Sequence, residues 1–251
     1  MAVVVSLHAH PDDEALMTGG WLAQRAAAGD RVVLVFATGG EAGLAGGDTA
    51  DLAGRRRAEG EASARALGVS RTVWLGYDDS GMAGESSTGS DRFVDTAADE
   101  VARDVAALLD EEDADVLTGY DANGGYGHPD HVHVHRVARA AQDIARRRPQ
   151  LLEATRERDG LLRLVRIVRP FARWLPGITL PGPDIYVSRA DLAALGGLRV
   201  DVRDQLAAKR AALRAHRSQA GGGIRTIALL LALPAPLARR VLGTECFLVV
   251  P

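Results

Sequence analysis

From residue 2 to residue 147, apolar runs of strand length alternate with amphipathic stretches of helix length. This alternation narrows the possible architectures more than any other feature of the chain. Ala2–Leu7 and Arg31–Ala37 are nearly continuous apolar runs rich in valine. Such runs suit strands covered on both faces, as in a parallel sheet. Between them, Asp12 to Ala28 places Leu16, Leu22, Ala23 and Ala26 at helical spacing and closes on Gly29. The same pattern predicts a helix over Ala53–Leu67 stopped by Gly68, and a strand over Thr72–Leu75. A helix over Asp95–Leu109, a strand over Asp115–Thr118 and a helix over His131–Arg147 follow. The expected fold is α/β and Rossmann-like, a mostly parallel sheet with helices on both faces.

Beyond Arg148 the pattern is less regular. Residues 149–182 combine Arg-rich helical stretches with Pro170, Pro176 and Pro181. Arg163, Arg166, Arg169 and Arg173 form a basic amphipathic stretch, whose plain reading is a solvated helix packed on the core. Ile185–Val187 reads as a short strand and Asp201–Gln219 as one amphipathic helix. Residues 224–242 read as helix with a proline break, and Cys246–Val250 as a last strand. With 251 residues and no repeat or linker, the chain reads as a single domain over 1–251. An α/β core over 1–147 would be joined by a C-terminal substrate-cover region over 148–251.

The net charge of −3 gives no general attraction for nucleic acid or anionic membrane. The apolar run from Ile227 to Pro236 is too short for a transmembrane segment, which needs about 20 residues. The N-terminal run lacks a basic flank and reads as a strand rather than a leader. The single cysteine, Cys246, reads as a buried core residue and fits a reducing, cytoplasmic location.

Six of the seven histidines fall in two clusters, and these carry the chemistry. The first is His8-Ala9-His10-Pro11-Asp12-Asp13-Glu14; the second is Gly127-His128-Pro129-Asp130-His131, followed by His133 and His135. Each follows a predicted strand and leads into a helix, where open α/β sheets place their ligands. Hydrolytic zinc sites use three protein ligands and keep a fourth position open. His10, Asp13 and His131 can supply that set. The metal would bring the pKa of water towards about 7. Asp12 is then the candidate general base, and His128 is available to face a developing oxyanion. His131 and His135 are four apart and could also grip a metal from one helix face, but His135 has no carboxylate beside it. His133 and His135 therefore read as solvent-facing or packing residues, and His8 as a structural hydrogen-bonder. His216 lies outside both clusters and reads as a helix-end surface histidine.

Ala9-His10-Pro11-Asp12-Asp13-Glu14 together with Gly127-His128-Pro129-Asp130-His131 resembles the PIG-L/LmbE-like zinc-dependent N-deacetylases. Thr38-Gly39-Gly40-Glu41-Ala42-Gly43, Arg57-Ala58-Glu59, Leu67-Gly68-Val69 and Lys209 with His216-Arg217-Ser218-Gln219 are similar to that family's pattern. Within the family, Tyr120–His128 and Asp79–Gly84 resemble the subgroup that deacetylates N-acetylglucosaminyl-inositol in the mycothiol pathway. The resemblance implies one Zn2+ on His10, Asp13 and His131, with Fe2+ or Co2+ compatible with the same ligands. It implies Asp12 as base and then acid, and His128 at the oxyanion with Tyr126 assisting. It further implies Asp130 as a supporting carboxylate, and Arg56 and Asp79 as contacts to sugar or inositol hydroxyls. Arg56 sits in the run Arg55-Arg56-Arg57, which reads equally well as a solvated helix face. The implied partner is a small N-acetylated sugar. An amidase acting on mycothiol S-conjugates, a deacetylase tailoring another N-acetylated natural product, and a non-catalytic sugar- or metal-binding module are the alternatives.

Overall fold

The computed structural model describes residues 1–42, 52–82, 91–157, 189–220 and 226–251. Its strands are β1 (Val3–His8), β2 (Arg31–Thr38), β3 (Arg71–Tyr77), β4 (Val116–Tyr120), β5 (Gln150–Thr155), β6 (Leu198–Asp201) and β7 (Thr244–Val249). They form one sheet in the order β3-β2-β1-β4-β5-β7-β6. The first five strands run parallel, and β7 runs antiparallel to both β5 and β6. The valine-rich runs lie where two-sided burial requires them: Val4, Val5, Leu7 and Val32 to Ala37 are all buried. Each such valine, leucine or phenylalanine side chain contributes about 1.5–3 kcal/mol on leaving water.

The helices are α1 (Gly19–Ala27), α2 (Leu52–Leu67), α3 (Ala98–Glu112), α4 (Gly124–Gly127), α5 (Pro129–Ile144), α6 (Arg189–Ala194), α7 (Leu206–Ala215), α8 (Arg217–Ala220), α9 (Thr226–Ala232) and α10 (Ala235–Leu242). α1, α2 and α7 pack together, as do α3 and α5. Right-handed crossovers in this strand order put those two groups on opposite faces of the sheet. No helix among the described residues is long and apolar enough to cross a membrane.

Beyond residue 148 the structure departs from the expected elements. Gln150–Thr155 is a strand, not part of a helical stretch, and it completes the parallel set beside β4. The single helix expected over Asp201–Gln219 divides into the end of β6, a 3-10 turn over Arg203–Gln205, α7 and α8. The helical reading of 224–242 holds over its described part, from Thr226, with the break at Pro234, and the last strand holds. Ile185–Val187 and Arg163 to Arg173 lie outside the described residues.

Near the N-terminus, the helix expected from Asp12 opens as a wide π-turn over Glu14–Thr18 before α1 begins. The N-terminus of α1 is capped from far away. Glu245 of β7 accepts the N–H groups of Gly20 and Trp21 at 2.8 and 2.7 Å. It also pairs with buried Lys209 of α7 at 2.5 Å. A carboxylate there satisfies two orphan donors and meets the positive end of the helix dipole.

The chain turns outward from β1 to β2 on one side and from β4 to β5 on the other. β1 and β4 are neighbours, so the crevice at their carboxyl ends is the topological switch point. Both histidine clusters leave the sheet there.

Candidate active site

β1 ends in His8, and the chain crosses the end of the sheet through Ala9-His10-Pro11-Asp12-Asp13. β4 ends in Tyr120; the turn Asp121–Gly127 leads into α5, whose first two turns carry Asp130 and His131. His10, Asp13, Asp79, His128, Asp130 and His131 are all buried and converge in this crevice. Ring nitrogens of His10, His128 and His131 lie within 4.8 Å of one another. Ligand atoms of His10, Asp79, His128 and Asp130 form a second group of the same size.

Hydrogen bonds fix which nitrogen each imidazole offers. His131 Nδ1–H donates to the Gly124 carbonyl at 3.0 Å, which leaves Nε2 as a lone pair. That Nε2 is buried without a hydrogen-bond partner and lies 3.1 Å from Asp13 Oδ2. His10 Nε2–H donates to Asp130 Oδ2 at 2.9 Å, and His10 Nδ1 lies 3.3 Å from the same Asp13 oxygen. One Asp13 oxygen thus lies close to a nitrogen of each of two imidazoles, although Asp13 falls in neither group of ligand atoms that all lie within 4.8 Å of one another. Each of these two spacings is close to the ~3.3 Å expected between neighbouring donors on one cation with bonds of about 2.0 Å. Two acceptors facing each other, as His131 Nε2 and Asp13 do, become favourable only with a cation or a proton between them. The bonds from His10 to Asp130 and from His131 to Gly124 are the outer partners that orient metal-ligating histidines.

Charge in the cluster has the same sense. Burial alone would lower His10, yet Asp13, Asp130 and Asp79 hold it well above the usual histidine range. Burial alone would raise Asp13, but His131 and His10 beside it keep it well below the usual carboxylate range. The cluster thus favours positive charge on His10 and negative charge on Asp13.

His128 is different. Its Nδ1 accepts the Asp130 backbone N–H at 3.2 Å and caps α5, with Pro129 as the first helical residue. Burial and the nearby His10 and His131 lower its pKa to about 4. The ring is thus neutral with its proton on Nε2, which can act as a hydrogen-bond donor into the crevice. Tyr126, 44 % exposed, stands at the mouth with its ring 4.8 Å from that of His131 and 6.0 Å from that of His128.

Asp12 sits beside this pocket in an unusual backbone conformation, with φ at +117°. Its carboxylate is 18 % exposed and 3.5 Å from Arg56. Burial, only partly offset by Arg56, raises its pKa to about 6. Arg56 itself is buried, so the reading of a solvated helix face fails. Its terminal nitrogens donate to the carbonyls of Gly40 and Pro11, both at 2.6 Å. Asp79 accepts the Gly81 N–H at 2.9 Å and lies 3.4 Å from His10 Nε2.

The remaining histidines separate cleanly. His8 is buried and bonded to Ser6, Thr18 and Tyr120. His133 packs edge-on against Phe93 at 4.7 Å, and His135 donates to the Tyr120 carbonyl and pairs with Glu153. His216 overturns its sequence reading: it is buried, not at the surface, and donates to Glu14 Oε1 at 2.7 Å. Burial alone would lower His216, but Glu14 holds it above the usual range. Glu14 lies within the first motif, yet no sequence signal gave it a partner 202 positions away.

Comparison with known proteins identifies the family and the fold. Residues 5–142 match the family PIG-L, described as GlcNAc-PI de-N-acetylase. A 1D-myo-inositol 2-acetamido-2-deoxy-alpha-D-glucopyranoside deacetylase of Mycobacterium sp. (strain KMS) is 38% identical over 250 residues, spanning 92% of this chain and 79% of the relative. One of the same name from Saccharomonospora viridis is 35% identical over 254 residues, spanning 92% and 90%. Among solved structures, the N,N'-diacetylchitobiose deacetylase of Pyrococcus horikoshii superposes with a TM-score of 0.62 at 23% identity, covering 99% of this chain and 84% of that one. A zinc-inhibited form of the teicoplanin deacetylase Orf2 gives 0.60 at 20%, covering 99% and 98%. At such identities these structures establish the fold, and the sequence relatives go further: the chain belongs to the PIG-L family of de-N-acetylases.

Proposed function

We propose that this protein is a metal-dependent N-deacetylase that releases acetate from an N-acetylglucosamine conjugate, with N-acetylglucosaminyl-inositol as the first candidate. The observation that carries the reading is the division of labour between adjacent carboxylates. Asp13 lies between two inward-facing imidazole nitrogens, while Asp12 points elsewhere with a pKa raised to about 6. One is arranged to hold a cation and the other to move a proton. The names of the sequence relatives supply the substrate.

His10, Asp13 and His131 would hold the cation, zinc first, with iron(II) or cobalt(II) compatible with the same donors. A cation there lowers the pKa of water towards about 7 and polarises the amide carbonyl. Asp12, ionised at neutral pH, accepts the proton from the attacking water and passes it to the departing amine. His128, neutral with Nε2–H, donates to the carbonyl oxygen as negative charge develops, and the Tyr126 hydroxyl assists from the cleft mouth. Asp130 fixes the orientation of His10. Arg56 steadies the Asp12 loop, and with Asp79 supplies contacts to sugar or inositol hydroxyls. Residues 148–251 act as the substrate cover. The buried, unpaired Cys246 supports a reducing cytoplasmic setting.

Acetate release from N-acetylglucosaminyl-inositol, measured beside amide cleavage of a mycothiol S-conjugate, tests the reading. We expect acetate from the first and little cleavage of the second; the reverse favours the amidase alternative. Release from no N-acetyl sugar would leave only a binding module. Asp12→Asn should retain metal and lose about 10²–10⁴-fold in turnover. His131→Ala should lose metal, and full zinc occupancy in that variant removes it from the ligand set.

A further inference from the structure

His216, the one histidine outside the two clusters, follows α7 directly and is buried against the loop that carries Asp12. Its Nε2–H donates to Glu14 Oε1 at 2.7 Å, and the Ser63 hydroxyl of α2 donates to the same oxygen. The other oxygen, Glu14 Oε2, accepts the backbone N–H of Asp12 at 2.9 Å. The turn after His216 is anchored too: the Ser218 N–H and hydroxyl both donate to Glu59 of α2, at 2.8 and 2.7 Å.

Asp12 requires an external hold. At φ +117° a residue with a side chain sits in a sparsely populated region and persists there only when its surroundings impose it. We propose that Glu14, gripped by His216 and Ser63, is a positioning clamp that holds the Asp12 backbone in the conformation that aims its carboxylate. Neither Glu14 nor His216 touches the substrate; both act through Asp12. The clamp rests on the reading of Asp12 as the base. It also gives the C-terminal third of the chain a part in the chemistry, through one imidazole placed on the first motif.

A packing role and a positioning role differ in what they demand at residue 216. Packing is met by any side chain of similar size. Positioning needs a donor where Nε2 lies, which glutamine supplies and leucine does not. Displacing a catalytic group by about 1 Å costs on the order of 10²-fold in rate. We therefore expect Glu14→Ala and His216→Leu to lower kcat by roughly 10²-fold and 10-fold, with KM changed less than about 3-fold and metal content full. His216→Gln should recover most of the loss. The double variant Glu14→Ala/His216→Leu should be no slower than Glu14→Ala, because the histidine acts through the glutamate.

The assay is steady-state kinetics with metal analysis on the whole chain, and Asp12→Asn is carried alongside. If Asp12→Asn is inactive while Glu14→Ala and His216→Leu keep native kcat, the clamp alone is wrong. Near-native turnover in Asp12→Asn removes the base assignment and the clamp with it. Activity loss that tracks metal loss, or equal kcat in His216→Gln and His216→Leu, also overturns the clamp. Should Glu14→Ala fail to fold, the comparison of His216→Gln with His216→Leu decides by itself.

Discussion

Gly124→Ala offers a sharp test of how the second cluster is held. Gly124 has φ +58°, and its carbonyl accepts the His131 Nδ1–H at 3.0 Å. A Cβ at this position would lie 2.5 Å from His131 Cβ, 2.8 Å from the Val132 nitrogen and 2.9 Å from the His131 carbonyl carbon. Two of those atoms are backbone in the first turns of α5, so relief requires the turn or the helix to move. The left-handed conformation costs alanine about 1–2 kcal/mol, and overpacking adds about 1–3. A total of roughly 2–5 kcal/mol in stability is expected. The same shift disturbs the bond that sets the His131 tautomer, so zinc affinity should fall about 10–100-fold. Gly127→Ala is the matched control. It has φ +86° with nothing within 4 Å of the added carbon, so it carries the conformational cost alone. Urea denaturation gives the stabilities, and equilibrium dialysis against buffered zinc gives the affinities. Equal zinc affinity in the two variants would show that the Gly124 carbonyl does not orient His131.

Other perturbations follow from the same structure. Lys209→Met removes one member of a buried pair and leaves Glu245 charged in the interior, so it should cost about 3–5 kcal/mol in urea unfolding; native stability would mean that Gly20 and Trp21 alone satisfy the carboxylate. His135 is raised above its usual pKa by its hydrogen bond to Glu153, against the effect of burial. Its charged form is favoured by folding, so this contribution is complete below pH ~6.5 and disappears as pH rises through the folded pKa. The stability gap between the native chain and His135→Gln should therefore be wider at pH 5.5 than at pH 8.5, and a gap independent of pH would show that the ion pair contributes nothing.

The parallel core was legible because its strands are apolar on both faces. Ala2–Leu7 and Arg31–Ala37 admit few other readings, and β1 and β2 fall within a residue of them. β5 was not legible. Gln150–Thr155 places Glu153 in its middle, and that charge is tolerated only because His135 and Arg139 of α5 meet it. Nothing local announces such partners. Arg56 shows the same limit: between Arg55 and Arg57 it looks like a solvated charge, and only the Pro11 and Gly40 carbonyls explain its burial. The two clusters were readable because each pairs imidazole and carboxylate within a few residues. The support of the first was not, because Ser63 and His216 reach it across the fold.

The strand order has a further consequence, for the chain as it is being made. β1 lies in the middle of the sheet, between β2 and β4. Its partner on one side, Arg31–Thr38, follows soon after it, while the partner on the other side is Val116–Tyr120. Until that segment leaves the ribosome, Val3–His8 presents a row of unpaired peptide groups between apolar side chains, the arrangement most prone to pairing with another chain. Parallel, non-local pairing is also intrinsically slow. Substitutions that delay α3 or β4 should thus reduce the yield of soluble protein before they alter the finished enzyme, and a co-translational chaperone should rescue them.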